Sequence, residues 1–288
     1  MTIAREIRRR QRDWAASRGI AIDRNGYVEA ERRNFFLPLS PKFSEALDGA
    51  GGGERQAQRQ RPAKILALHS SAVLAINVFQ YWEGRKGHEL PRALGVEGSL
   101  INVCIEQQFP SGLRGTPPTL DVMLELGSNH LIAIESKFTE WMTKKRVKLD
   151  EFAAKYLSAE PGHWTACGLP ACQQLASDIA GGRESFRQLD ALQLLKHALG
   201  LQKNVAGRFS LVYLYYDYEG QSDIADLHRE EAVRFASLVD SIFGFRSLSY
   251  QDLFAVLSDQ SGVEADYVSY LRERYFPAAR SNLRVVRH

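Results

Sequence analysis

Between residues 118 and 138 apolar and polar side chains alternate in two runs with a short polar break between them. In the first run Leu120, Val122, Leu124 and Leu126 share one face, and Asp121, Met123 and Glu125 share the other. In the second, Ile132, Ile134 and Phe138 lie opposite Ala133, Glu135 and Lys137. A period of two marks half-buried strands, so the stretch predicts a hairpin turning at Gly127-Ser128-Asn129-His130. Register decides whether the charges meet. With a three-residue loop, Leu126 pairs with His130 and, counting back, Asp121 faces Glu135. A two-residue loop would send Asp121 to the wrong face, and the loop glycine suits the three-residue form.

The flanking pattern is mostly helical. A basic amphipathic helix is predicted over 2–18, with Ile3, Ile7 and Trp14 as its apolar side. Residues 20–45 read as irregular, and the Gly- and Arg-rich stretch 48–62 as a linker or a loop that closes on a ligand. A helix apolar nearly all round is predicted over 64–84, hence buried. A strand follows at 100–108, then the hairpin, helices at 145–158, 171–180 and 184–199, a β-prone strand at 209–216, and helices at 223–243, 250–258 and 264–276. Helix, three strands, helices, strand and helix predict an α/β fold with a mixed central sheet flanked by helices. The expected division is an N-terminal basic helix and flexible loop (1–62), a core (63–245) and a C-terminal helical extension (246–288), packed as one domain.

Composition narrows this little: 288 residues, 44% hydrophobic and 25% charged, are ordinary for a globular chain. No run approaches about 20 apolar residues, so no membrane span is expected. The basic N-terminus has no apolar segment behind it, so no signal peptide is expected either. Three cysteines make no disulfide framework, which points to a reducing cytoplasm. The net charge of +3 is modest, but basic residues cluster at Arg5–Arg12, at Lys144, Lys145, Arg146 and Lys148, and near Arg280–Arg287. Such clusters are either solvated surface or phosphate contacts.

Two carboxylates facing each other repel unless something positive lies between them. Lys137 supplies one charge, and a divalent cation would supply more. Two hard carboxylate oxygens suit Mg²⁺, with Mn²⁺ as a substitute, and such a pair with a nearby lysine suits phosphodiester hydrolysis. Asp121, thirteen intervening residues, then Glu135-Ser136-Lys137 is a D-x(n)-E-x-K pattern on adjacent strands. It resembles the PD-(D/E)XK nuclease superfamily, the restriction-endonuclease-like fold, over roughly residues 64–243. The Gly-Gly-Gly-Glu stretch at 51–54 and the Ser70-Ser71…Asn77-Val78-Phe79 helix are similar to a bacterial subgroup of it. The resemblance implies that Asp121 and Glu135 bind the metal, that Ser136 offers its backbone carbonyl, and that Lys137 is catalytic. It implies a further acid, for which Glu106 is the candidate, and a glutamine on a later helix, for which Gln193 is favoured over Gln173 and Gln174. The Pro-Asp step is absent, since Pro118 lies three residues before Asp121.

The implied activity is a cytoplasmic, Mg²⁺-dependent nuclease acting on nucleic acid, DNA favoured, with phosphates held by the basic segments. Three other readings compete: a non-catalytic nucleic-acid-binding module of the same fold, an interaction protein whose carboxylates pair with lysines, and a plain exposed cross-strand ion pair. His163, Cys167 and Cys172 have the spacing of part of a zinc site but no evident fourth ligand. Tyr213, Tyr215, Tyr216 and Tyr218 read as core, with base stacking as the alternative. Nothing in the sequence sets the oligomeric state.

Overall fold

The computed structural model describes residues 2–49, 53–57, 61–143, 148–218, 220–239 and 243–277. Along the chain run α1 (Ile3–Ser17), α2 (Pro41–Gly49), α3 (Ser71–Phe79), α4 (Glu89–Ala93), β1 (Leu100–Gln108), β2 (Thr119–Leu126) and β3 (His130–Lys137). Then come α5 (Leu149–Tyr156), α6 (Pro170–Ala180), α7 (Ala191–Asn204), β4 (Arg208–Tyr215), α8 (Asp223–Leu238), β5 (Arg246–Ser249), α9 (Tyr250–Ser258) and α10 (Ala265–Arg274).

The strands form one mixed sheet in the order β1-β2-β3-β4-β5. The first three are antiparallel, and β4 and β5 add on in parallel. The hairpin has the odd loop: Leu126 pairs with His130 across Gly127, Ser128 and Asn129. The left-handed residue of that turn is Asn129, at φ +52°, rather than the glycine. Asparagine tolerates this conformation better than other side chains.

The strands are more enclosed than their alternation suggests. Of the eight residues of β3, only Leu131 is not fully buried. On one side His197 of α7 reaches Glu135, and His228 of α8 bonds Tyr213, the parallel neighbour of Glu135. On the other side Ser136 Oγ meets the Tyr250 hydroxyl at 2.6 Å, and the Phe138 ring packs edge-on against Tyr275. A sheet covered on both faces needs helices on both: the crossover between β3 and β4 supplies α7 on the Glu135 side, and α3, α9 and the segment after α10 cover the other. The buried core runs from Ile3 and Phe43 through the strands to Tyr250 and Phe276, so the N-terminal and C-terminal segments share it.

Several elements depart from expectation. The predicted helix 64–84 is one α-helix of nine residues between short 3₁₀ turns, started by Ser70, whose hydroxyl accepts from Val73 N–H. The expected helix at 184–199 begins only at Ala191, after an extended loop, and runs through Gly200 to Asn204. Gly200 belongs inside the helix because its Cα faces the Phe109 carbonyl, where a side chain would collide. α2 (Pro41–Gly49) begins inside the stretch 20–45 whose pattern reads as irregular, and the short edge strand β5 adds to the strands that the pattern predicts. No helix among the described residues is long and apolar enough to cross a membrane.

Candidate active site

The site starts from register. One step beyond the Val122–Ile134 pair, Asp121 comes opposite Glu135. On the other side of β2, the pairs Ile105–Val122 and Gln107–Leu120 put Glu106 opposite Asp121. Glu106, Asp121 and Glu135 therefore form a row across three adjacent strands. Glu106 holds a left-handed backbone, φ +53°, inside a strand, a conformation that costs a non-glycine residue about 1–3 kcal/mol. Glu106 and Asp121 line one narrow crevice with Ala72, Ala75 and Ile76 from α3.

Each acid has its own setting. Glu135 is 1% exposed; one oxygen is ion-paired with Lys137 and the other lies 2.8 Å from His197 Nε2. The other ring nitrogen of His197, Nδ1, is buried with no hydrogen-bond partner among the described residues. Asp121 Oδ2 accepts from the Ser136 backbone N–H at 2.6 Å. Lys137 is anchored by its carbonyl, which accepts from Tyr216 N–H at 2.8 Å. Just beyond it, Glu140 accepts from the N–H groups of Phe138 and Thr139 and closes the turn.

The charges act on one another strongly. Burial lifts the Asp121 carboxyl well above its usual range, and the facing Glu135 and Glu106 add to the lift. Burial also raises Glu135, but the Lys137 ammonium and His197 outweigh it and hold the group down to about 2. Lys137 is opposed by burial yet raised by Glu135 and then Asp121, so it remains a cation. Glu106 is pushed up to about 7 by burial, with the charge of Glu54 next and Glu135 after it. Asp121, raised by burial and by the acids on either side of it, is the member of the row whose charge a hard dication would neutralise.

Of the sequence-derived candidates, the structure brings Asp121, Glu135, Lys137 and Glu106 together. Gln193 lies one helical turn before His197 on α7 and therefore on the same face, with its Oε1 buried and lacking a hydrogen-bond partner among the described residues. Its rivals are engaged: Gln173 Oε1 accepts from Trp164 N–H, and Gln174 donates to Asp178. His197 was not singled out from the sequence, and a lone histidine among apolar helix positions gives no signal there. Lys144, Lys145 and Arg146 lie outside the described residues, as does the basic cluster near Arg280–Arg287; Lys148 is exposed and pairs with Glu151 at 2.7 Å. No group of three His, Cys, Asp or Glu placed to hold a metal by themselves occurs among the described residues. Cys172 is buried, and Cys167 Sγ donates to the Trp164 carbonyl. Tyr213, Tyr215 and Tyr216 are buried in the core. An exposed cross-strand ion pair is excluded, because Glu135 and Lys137 are both buried.

A mixed five-stranded sheet between helices, with an acid on β2 facing the glutamate of Glu-Ser-Lys on β3, is a restriction-endonuclease-like core. The chain belongs to the family described as restriction endonuclease associating with ARP, whose family model matches residues 8–276. That family is one of nucleases, hydrolases that work on nucleic acid. No curated protein and no solved structure matches the chain.

Proposed function

We propose that the protein is a metal-dependent nuclease that hydrolyses phosphodiester bonds, DNA being the favoured substrate. The observation that carries this is the register: Asp121 faces Glu135 while Lys137 is buried against the same carboxylate. The upward push that the facing Glu135 and Glu106 give the buried Asp121 carboxyl fits a cation held between them. Asp121 and Glu135 would hold Mg²⁺, or Mn²⁺ in its place, with Glu106 and the Ser136 carbonyl as further ligands. When bound, the metal offsets charge on the phosphate and lowers the pKa of a coordinated water.

The chain's own residues do the rest. Lys137, kept a cation by Glu135 and Asp121, orients the attacking water and faces the charge that grows on the phosphate. His197 sets the direction of the Glu135 carboxylate. Gln193 offers its unpartnered oxygen toward a water on the same helix face. Lys148, with Lys144, Lys145 and Arg146, would contact phosphates without reading sequence.

The test is plasmid nicking and linear-end digestion with Mg²⁺, comparing the protein with Lys137→Ala. Equal cleavage by both would move the chemistry elsewhere. Titration of Mg²⁺ and Mn²⁺ is the second arm. Binding that survives unchanged in Asp121→Ala would remove the metal from this site.

A further inference from the structure

A cavity of about 340 Å³ opens beside Lys137 on the α7 side of the sheet. This is the size of a small-molecule pocket, whose usual range is roughly 300–1,000 Å³. Its walls are aromatic: Trp141, Phe186 and Tyr213, with Leu189 and Leu192 completing them. Both main walls are fixed in advance. Trp141 stacks on His228 at 4.2 Å and donates its ring N–H to the Tyr216 carbonyl. The loop carrying Phe186 is held by Glu231, whose buried carboxylate accepts from the consecutive backbone N–H groups of Arg187, Gln188 and Leu189 at 2.6, 2.8 and 2.9 Å.

The chemistry of the rim selects the occupant. Glu140, Glu184 and Asp190 line it together with Lys137 and Arg187, so its charge is mixed and the aromatic walls favour a flat ring. Gln188 also lines it; its Oε1 is buried with no partner among the described residues and reaches an occupant by a turn of the side chain. A flat, neutral ring with an N–H on its edge meets both conditions. A second groove of about 460 Å³ shares Asp190 and Leu192 with this cavity and is lined by Lys148, Lys155 and Lys196, with Glu151 paired to Lys148. An aromatic-walled slot for a ring thus adjoins a groove with three lysines that can follow phosphates, and the buried Lys137 forms part of the slot's wall.

We propose that the cavity receives one unstacked nucleobase of the strand being cut, while the phosphates beside it follow the lysine-lined groove. This rests on the nuclease reading and deepens it: the substrate is a strand with a base free to leave its stack, either single-stranded or locally opened. Base–aromatic contacts of this kind tolerate sequence, because every base has a π-face. Gln188 adds a preference for bases that present an N–H there. Removing a base from its duplex stack costs a few kcal/mol, and a single strand avoids most of that cost.

The test measures binding by the full chain, with Ca²⁺ present, of a single-stranded oligodeoxyadenylate and of an abasic strand of the same length and phosphate number. The protein should bind the base-bearing strand about 5- to 150-fold more tightly, the range of one base stacked on an aromatic side chain. Phe186→Ala should abolish that preference and leave affinity for the abasic strand unchanged. Gln188→Leu removes an oxygen that has no partner, so the fold is not expected to suffer, and it should reduce the preference by about 2- to 12-fold. Equal binding of both strands by the unaltered protein overturns the proposal, as does a preference that survives both substitutions. Deoxyadenosine monophosphate competing as strongly as the strand overturns the polymer as occupant. Binding and cleavage without base preference sink only the assignment of the pocket. Neither binding nor cleavage sinks the nuclease reading with it.

Discussion

His197 Nε2 stands 2.8 Å from Glu135 Oε2, and this contact from α7 to β3 fixes the one carboxylate oxygen that Lys137 leaves free. A ligand whose direction is set by a neighbour loses affinity and activity when that neighbour is removed, typically about 10- to 100-fold. His197→Ala should therefore lower Mg²⁺ affinity and kcat by that factor, with KM for nucleic acid little changed. A KM effect alone would show that His197 contacts substrate instead.

Asp121→Asn separates a metal site from a structural ion cluster. The amide would still accept from Ser136 N–H, but the substitution removes a carboxylate that faces two others. The metal-free variant should be more stable by about 1–2 kcal/mol, a rise of roughly 2–8 °C in Tm, and added Mg²⁺ should no longer raise its Tm. A less stable variant would mean that Asp121 holds the fold together.

Register offers a cleaner test. One alanine inserted between Gly127 and Ser128 makes the loop even, so either Asp121 or the apolar face of β2 must turn the wrong way. Cleavage should vanish, and circular dichroism should show whether the sheet survives. Asn129→Gly keeps the left-handed turn and should be neutral, whereas Asn129→Val should cost about 1–2 kcal/mol.

His228 predicts a pH dependence. It is fully buried, its Nε2 meets the Tyr213 hydroxyl, and burial, helped by the Arg229 charge, lowers its pKa from 6.5 to about 3. Between those values the unfolded chain binds a proton that the folded one refuses, so stability falls on acidification. The loss is about 1.4 kcal/mol per pH unit, or about 2 kcal/mol at pH 5. His228→Gln should be less stable at pH 7 and should lose less on going to pH 5, read by urea denaturation.

Arg274 ties the two ends of the chain together. It is 1% exposed, donates to Asn34 O, Asn34 Oδ1, the Tyr270 hydroxyl and Gln11 Oε1, and lies 4.3 Å from the Trp14 ring. A lysine cannot reproduce that fork of donors. Arg274→Lys should cost about 2–4 kcal/mol, while the cleavage rate measured well below Tm should stay within about twofold.

The hairpin and its acids were legible because a period of two and an odd loop leave one arrangement for Asp121 and Glu135. Glu106 was legible as a candidate, but its place directly across from Asp121 rests on the pairing of β1 with β2, which no local pattern encodes. The start of α7 carries a local signal: Asp190 caps Gln193 N–H, the Asp-x-x-Gln pattern of a helix beginning. Phe186 and Leu189 mimicked helical spacing while packing from a loop. β5 hid because four residues, Arg-Ser-Leu-Ser, carry too little apolar pattern. His197 was hidden for a different reason: only the docking of α7 on the sheet shows what its ring meets.

Glu231 has one more consequence. Its carboxylate takes up the amides of three consecutive loop residues, so those three N–H groups are not available to a phosphate at that wall. The loop's shape is therefore set from α8 through its backbone, while the side chains of Phe186 and Gln188 line the cavity without contributing to that anchorage. Changing either side chain leaves the three anchoring hydrogen bonds in place, so the lining can vary without the loop being rebuilt.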